Sequence, residues 1–140
     1  MKLDEVMAEL EKKGSEQQRK TYRNHGAVGE LFGVKISDLK QILKKIKGDQ
    51  ALALELYKTK NLDAMYLAGL LADGAQMSRK ELSAWVKAAN WGMISEYTVP
   101  WVAAESPYAR ELALEWMDSS KENVAVAGGN TYGGIIAMRP

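Results

Sequence analysis

The sequence predicts an all-α protein built as an array of helix pairs, and three observations predict it. Apolar residues recur at three- and four-residue spacing along most of the chain, with no useful stretch of strand alternation. Residues that start and stop helices punctuate these stripes: Ser15, Ser37, Asp49, Asn61 and Ser78 before them, Gly14, Gly26 and Gly48 after them. The stripes fall into units of roughly 30–45 residues, the period of HEAT-like helix pairs, whose stacking gives an α-α superhelix.

Taken in order, the first helix covers about Leu3 to Lys13, with Leu3, Val6, Met7 and Leu10 on one face. Ser15 caps a second helix that runs to His25, with Gln18 at the capping-box position. Ala27 to Ile36 reads as a loop turned by Gly29 and Gly33 and pinned by Leu31, Phe32 and Val34. These glycines are no phosphate loop, because no Gly-Lys-Ser/Thr follows and no strand precedes. Ser37 is the expected cap of a third helix, Asp38 to Lys47. Its apolar stripe is Leu39, Ile42, Leu43 and Ile46, opposite Lys40, Lys44 and Lys47.

Asp49 caps a fourth helix to about Thr59. Asn61 caps a fifth, Leu62 to Ala72, which is apolar nearly all round and so belongs in the middle of the array. A turn over Asp73 to Met77 leads to a sixth helix capped by Ser78 and Glu81, with Leu82, Trp85, Val86 and Ala89 inward. Asn90 is the expected cap of the next segment, which Pro100 should kink or break. Ser106-Pro107 reads as the start of a helix to about Asp118. A last helix begins near Glu122, although Gly128, Gly129, Gly133 and Gly134 make poor helix material. The expected hairpins are the third helix with the fourth, the fifth with the sixth, and the Pro100 segment with the helix after it.

Composition bounds the function. The 140 residues suit a single domain, 1–140, and 46% hydrophobic residues supply a core. No apolar run reaches the roughly 18 residues of a membrane span. The opening MKLDEVMAELEKK is charged throughout and is no signal peptide. With no cysteine there is no disulfide, thiol nucleophile or cysteine zinc site, and the single histidine, His25, rules out a multi-histidine metal site. No metal or cofactor is expected, and a cytoplasmic setting fits.

The net charge of +1 conceals a split. From Arg19 to Lys47 the basic residues are Arg19, Lys20, Arg23, Lys35, Lys40, Lys44, Lys45 and Lys47, against Glu30 and Asp38 alone. From Asp49 to Glu122 the balance turns acidic. Such a split can give a near-neutral protein one positive face. Its lysines read either as phosphate contacts or as an ordinary solvated helix surface.

The stretch that carries most of the chemistry is Asn90 to Glu105, NWGMISEYTVPWVAAE. It holds two of the four tryptophans, one tyrosine and two carboxylates. Trp91, Tyr97 and Trp101 read either as base-facing aromatics or as packing between helix pairs.

Three stretches, YRNHGAVGELFGVKISDLKQILKKIK, LALELYKTKNLDAMYLAGLLAD and WVKAANWGMISEYTVPWVAAES, together resemble the DNA alkylation repair family of AlkD-like glycosylases. The likeness covers about Tyr22 to Trp116. It implies a HEAT-like scaffold whose concave basic surface holds damaged double-stranded DNA. It also implies excision of a cationic alkylated purine, assisted by tryptophans and a carboxylate that stabilise the developing positive sugar. No metal is required. The family's tryptophan maps to Trp91, and its carboxylate, four residues on, to Ser95. Glu96 stands next to that position, rotated by about 100° in an α-helix. The family's DNA-contacting arginine should fall near Val124 to Ala127, where this chain has none. A second family tryptophan falls beyond Pro140, so the resemblance also implies missing C-terminal repeats.

The functional expectation is a DNA glycosylase for alkylated purines, with Trp91 and Glu96 at the catalytic centre and Arg23, Lys40, Lys44, Lys45, Lys47 and Trp101 on DNA. The alternative is a non-catalytic HEAT-like scaffold that binds DNA or protein. The glycine-rich end, with Ile135, Ile136, Ala137 and Met138 beside it, is a candidate surface for pairing with a second copy.

Overall fold

The computed structural model describes residues 1–137. Met138 therefore lies outside the described residues. Those residues are helices and turns, with no strand among them, in two compact units, Met1–Ala72 and Asp73–Pro140.

The first unit contains α1 (Leu3–Lys13), α2 (Glu16–Asn24), α3 (Ile36–Ile46), α4 (Gln50–Lys58) and α5 (Leu62–Leu71). Its centre is α5. Every residue of α5 except Leu70 is buried, and α1, α3 and α4 all pack on it. This follows from composition: a helix without a polar face needs cover on all sides, while α3 and α4 each need to cover one stripe. The main partner of both α3 and α4 is accordingly α5, and the expected hairpin of the third helix with the fourth is corrected.

Most predicted caps form. Asp49 Oδ1 accepts from Leu52 N at 3.1 Å, and Asn61 Oδ1 from Ala64 N at 3.1 Å. Ser15 Oγ accepts from Gln18 N at 3.1 Å. The return half of that capping box is replaced, because Ser15 N donates to Gly33 O at 3.0 Å. α3 begins two residues earlier than expected: Asp38 N and Leu39 N both donate to Lys35 O at 3.0 Å, so Ser37 sits inside the first turn and caps nothing.

The second unit contains a 3₁₀ turn (Gly74–Gln76), α6 (Arg79–Ala88), a π-helical turn (Met93–Thr98), α7 (Val99–Ala104), α8 (Ala109–Met117) and α9 (Glu122–Ala137). Ser78 and Glu81 form the predicted reciprocal cap of α6, at 3.0 and 2.9 Å. The glycine-rich α9 is the hub: α6, the π turn, α7 and α8 all pack on it, α8 most extensively. Its glycines explain how. A Cβ on Gly128 would stand 2.6 Å from Met117 N and 2.8 Å from Ala113 O, so the α8 and α9 backbones meet at a distance only glycine allows. The composition that looked poor for a helix is what close helix packing requires. The partner of α8 is α9, which corrects its expected hairpin with the Pro100 segment.

Two starts in this unit differ from expectation. Asn90 caps nothing: its N–H bonds back to Ala88 O at 3.1 Å, and the π turn starts from Gly92. Ser106 lies before α8 proper, whose first flanking residue is Tyr108. Its hydroxyl donates to Ala103 O at 2.7 Å and accepts from Tyr108 N at 3.2 Å, closing the α7–α8 turn.

The expected break at Pro100 takes a specific form. Proline has no N–H to give the carbonyl four residues back, that of Glu96. The ladder slips ahead of it, and Val99 N donates to Ile94 O, five residues back. Asn130 of α9 then supplies the missing donor: its Nδ2 reaches Glu96 O at 3.0 Å.

Candidate nucleic-acid interface

In the first unit the candidate DNA-contacting basic side chains stand on α2 and on α3 with its C-cap. Lys40, Lys44 and Lys47 are exposed along α3 and its C-cap, opposite the buried Leu39, Ile42 and Ile46. None of the three is in an ion pair among the described residues. Lys45 differs: its Nζ lies 2.9 Å from Glu9 Oε1 of α1, so part of its charge is met within the protein. Arg23 is exposed in the last turn of α2.

The loop between α2 and α3 is held by a residue the sequence reading passed over. Asp63, in the first turn of α5, is only 3% exposed. Its carboxylate accepts from Phe32 N at 2.6 Å, Gly33 N at 3.1 Å and Val34 N at 2.8 Å. Gly33 adopts φ +77°, which turns these N–H groups toward one acceptor. The same loop accepts from α2: Arg19 Nη1 donates to Phe32 O at 3.0 Å, and the Tyr22 hydroxyl to Val34 O at 2.7 Å. Burial, then the Asp63 charge, then Tyr66, push the Tyr22 pKa up to about 12. α2 buries no residue of its own, and the Arg19 and Tyr22 bonds tie it to this loop. The signal that could have revealed it is the acid two residues after the Asn61 cap.

In the second unit the Asn90 to Glu105 stretch sorts its side chains to opposite sides. Trp91 is 3% exposed and Ser95 4%, so the tryptophan and the serine at the expected carboxylate position are both interior. Glu96 is exposed. Its carboxylate lies over Gly92, with Oε2 3.3 Å from where a Cβ there would stand. Tyr97 and Trp101 are 48% and 42% exposed, with ring centroids 5.9 Å apart and planes at 47°. They form an outward aromatic pair, four residues apart on the π turn and α7. The Thr98 hydroxyl is buried with no hydrogen-bond partner. The π turn that sets the facing of this segment was not readable from the sequence.

Residues 6–125 match the family described as DNA alkylation repair enzymes. The chain belongs to this family. Proteins similar to it include an uncharacterized protein of Listeria innocua, 26% identical over 98% of this chain, and one of Listeria monocytogenes, 25% identical over the same share. The chain spans 63% of the length of each of these curated relatives. A solved structure superposes with a TM-score of 0.92 at 40% identity, over 100% of this chain and 60% of that one. It is described as representing a new family of proteins related to the HEAT-like repeat DNA glycosylases, with affinity for branched DNA structures. The fold is therefore HEAT-like and all-helical. No helix among the described residues is long and apolar enough to cross a membrane.

Proposed function

We propose that this family member is a DNA-binding scaffold that grips the phosphate backbone of duplex or branched DNA and does not excise bases. The observation that carries the reading is the α3 stripe of Lys40, Lys44 and Lys47, exposed and without ion-pair partners among the described residues. Such a stripe holds phosphates without reading sequence. The affinity for branched DNA ascribed to the protein of the similar structure supports the same class of ligand. Arg23 extends the basic set, and Lys45 contributes less because Glu9 already faces it. Against catalysis, a buried Ser95 stands where the family resemblance puts the carboxylate, and Trp91 beside it is buried too.

A second reading, a glycosylase using Glu96, draws support from the π turn, since such turns are frequent at functional sites. One experiment separates the two. Binding of a four-way junction and of plain duplex is measured for wild type and for Lys40→Glu/Lys44→Glu, alongside release of 3-methyl- and 7-methylpurine from alkylated duplex. We expect salt-sensitive binding, its loss in the double variant, and no base release. Base release abolished by Glu96→Gln would replace the scaffold reading with the glycosylase. Unchanged binding by the double variant would remove α3 from the interface.

A further inference from the structure

The second unit has a cleft of about 490 Å³ among α6, α8 and the start of α9, which neither the basic stripe nor the Trp91 segment includes. That size lies within the roughly 300–1,000 Å³ typical of small-ligand sites and exceeds what a lone phosphate needs. Its charged lining is Arg79, Lys87 and Lys121 against Glu115. The carboxylate is taken, because Arg79 Nη2 holds Glu115 Oε1 at 3.1 Å while Arg79 Nη1 holds Glu111 at 2.8 Å. Lys87 and Lys121 are exposed and in no ion pair among the described residues. Three hydroxyls, of Ser83, Ser119 and Ser120, line the same space, and Val86, Trp116 and Val124 give it an apolar wall.

We propose that this cleft seats one nucleotide unit of a DNA strand, with its phosphate on Lys87 and Lys121 and its sugar against Val86 and Val124. The proposal rests on the DNA-binding reading above and adds a second contact region to it. The chemistry favours backbone over base. Unpaired ammonium groups and hydroxyls suit a phosphodiester. The lining contains no asparagine or glutamine for an adenine edge, and the one carboxylate that could accept from cytosine is held by arginine, which leaves the lysines and hydroxyls to the phosphodiester. A strand seated here is bound whatever its sequence.

The test titrates a labelled four-way junction over about 50–200 mM salt, where phosphate contacts appear as the slope of log affinity against log salt. The variants are Lys87→Gln/Lys121→Gln and, as a control for charge on the same helix, Lys80→Gln, which is exposed and outside the cleft lining. Both changes are at exposed positions, and unaltered helical content and melting temperature establish that the variants are folded. The expected result is weaker binding by the cleft variant with the slope reduced by about 1, while the control keeps the wild-type slope. Wild-type slope and affinity in the cleft variant would overturn the cleft and leave the α3 reading standing. An equal loss in the control would also overturn it, by showing a diffuse charge effect. Failure of the wild type to bind any DNA would overturn both.

Discussion

At the scale of single residues, the most consequential side chain is Asp63, which ties α5 to the loop that in turn holds α2. Three backbone N–H groups converge on a carboxylate that is 3% exposed. Hydrogen bonds to a charged acceptor are worth more than neutral ones, and an orphaned buried donor is costly. Tyr22 reports on this clamp. Its hydroxyl is neutral in the fold up to about pH 12, against about 10 for the free side chain. Between those values the unfolded chain has lost the proton and the folded one still holds it. Stability from this group is therefore fully present below pH 10 and falls as pH rises toward 12. Urea midpoints of wild type and Tyr22→Phe, compared from pH 9 to 12, should converge across that window. A constant difference would mean Tyr22 titrates normally. Asp63 was hard to see in the sequence because an acid in a first turn reads as a helix-dipole residue. Its partners lie about thirty positions earlier, and only the folded loop brings them in.

At the scale of elements, legibility followed whether the cause was local. Asp49, Asn61 and Ser78 cap where they were expected to, because a cap is settled within three residues. The π turn was not legible. It arises from Pro100 depriving Glu96 O of a donor and from Asn130, far along the chain, replacing it. The burial of Trp91 was likewise not legible, since an aromatic at helical spacing looks the same whether it faces a core or a ligand. α9 starts at Glu122 as expected, and its glycines looked unfavourable only because helix propensity counts what glycine costs and not what it permits. Its glycines give a paired prediction. Gly128→Ala should destabilise by about 1–3 kcal/mol, because the new methyl meets the α8 backbone. Gly129→Ala, with nothing within 4 Å, should stabilise by up to about 1 kcal/mol through helix propensity alone. Thermal melts of the two variants check this. A stabilising shift from Gly128→Ala, like that expected of Gly129→Ala, would show that α8 and α9 do not meet at Gly128.

At the scale of the molecule, a net charge of +1 is too small for a protein held on DNA by overall attraction. In the proposed DNA-binding reading, affinity comes from where the charge stands, and that makes it countable. The all-α class and the family were legible because they depend on periodicity and order along the whole chain. The number of phosphate contacts the proposed interface can make was not, because it depends on which lysines are already paired: Lys45 faces Glu9, while Lys40, Lys44, Lys47, Lys87 and Lys121 are in no ion pair among the described residues. If α3 alone engages duplex DNA, three contacts predict a log–log salt slope of about −2.7, and affinity falls roughly 40-fold between about 50 and 200 mM salt. If the α6–α8–α9 cleft adds one phosphate, the slope steepens to about −3.6 and the loss approaches roughly 150-fold. The wild-type slope on a junction, set beside that on plain duplex, therefore counts the regions in use. A steeper slope on the junction than on duplex would mean that the cleft takes a strand which only branching presents. Equal slopes near the higher value would mean that it takes any strand. Equal slopes near the lower value would leave α3 as the whole of the interface.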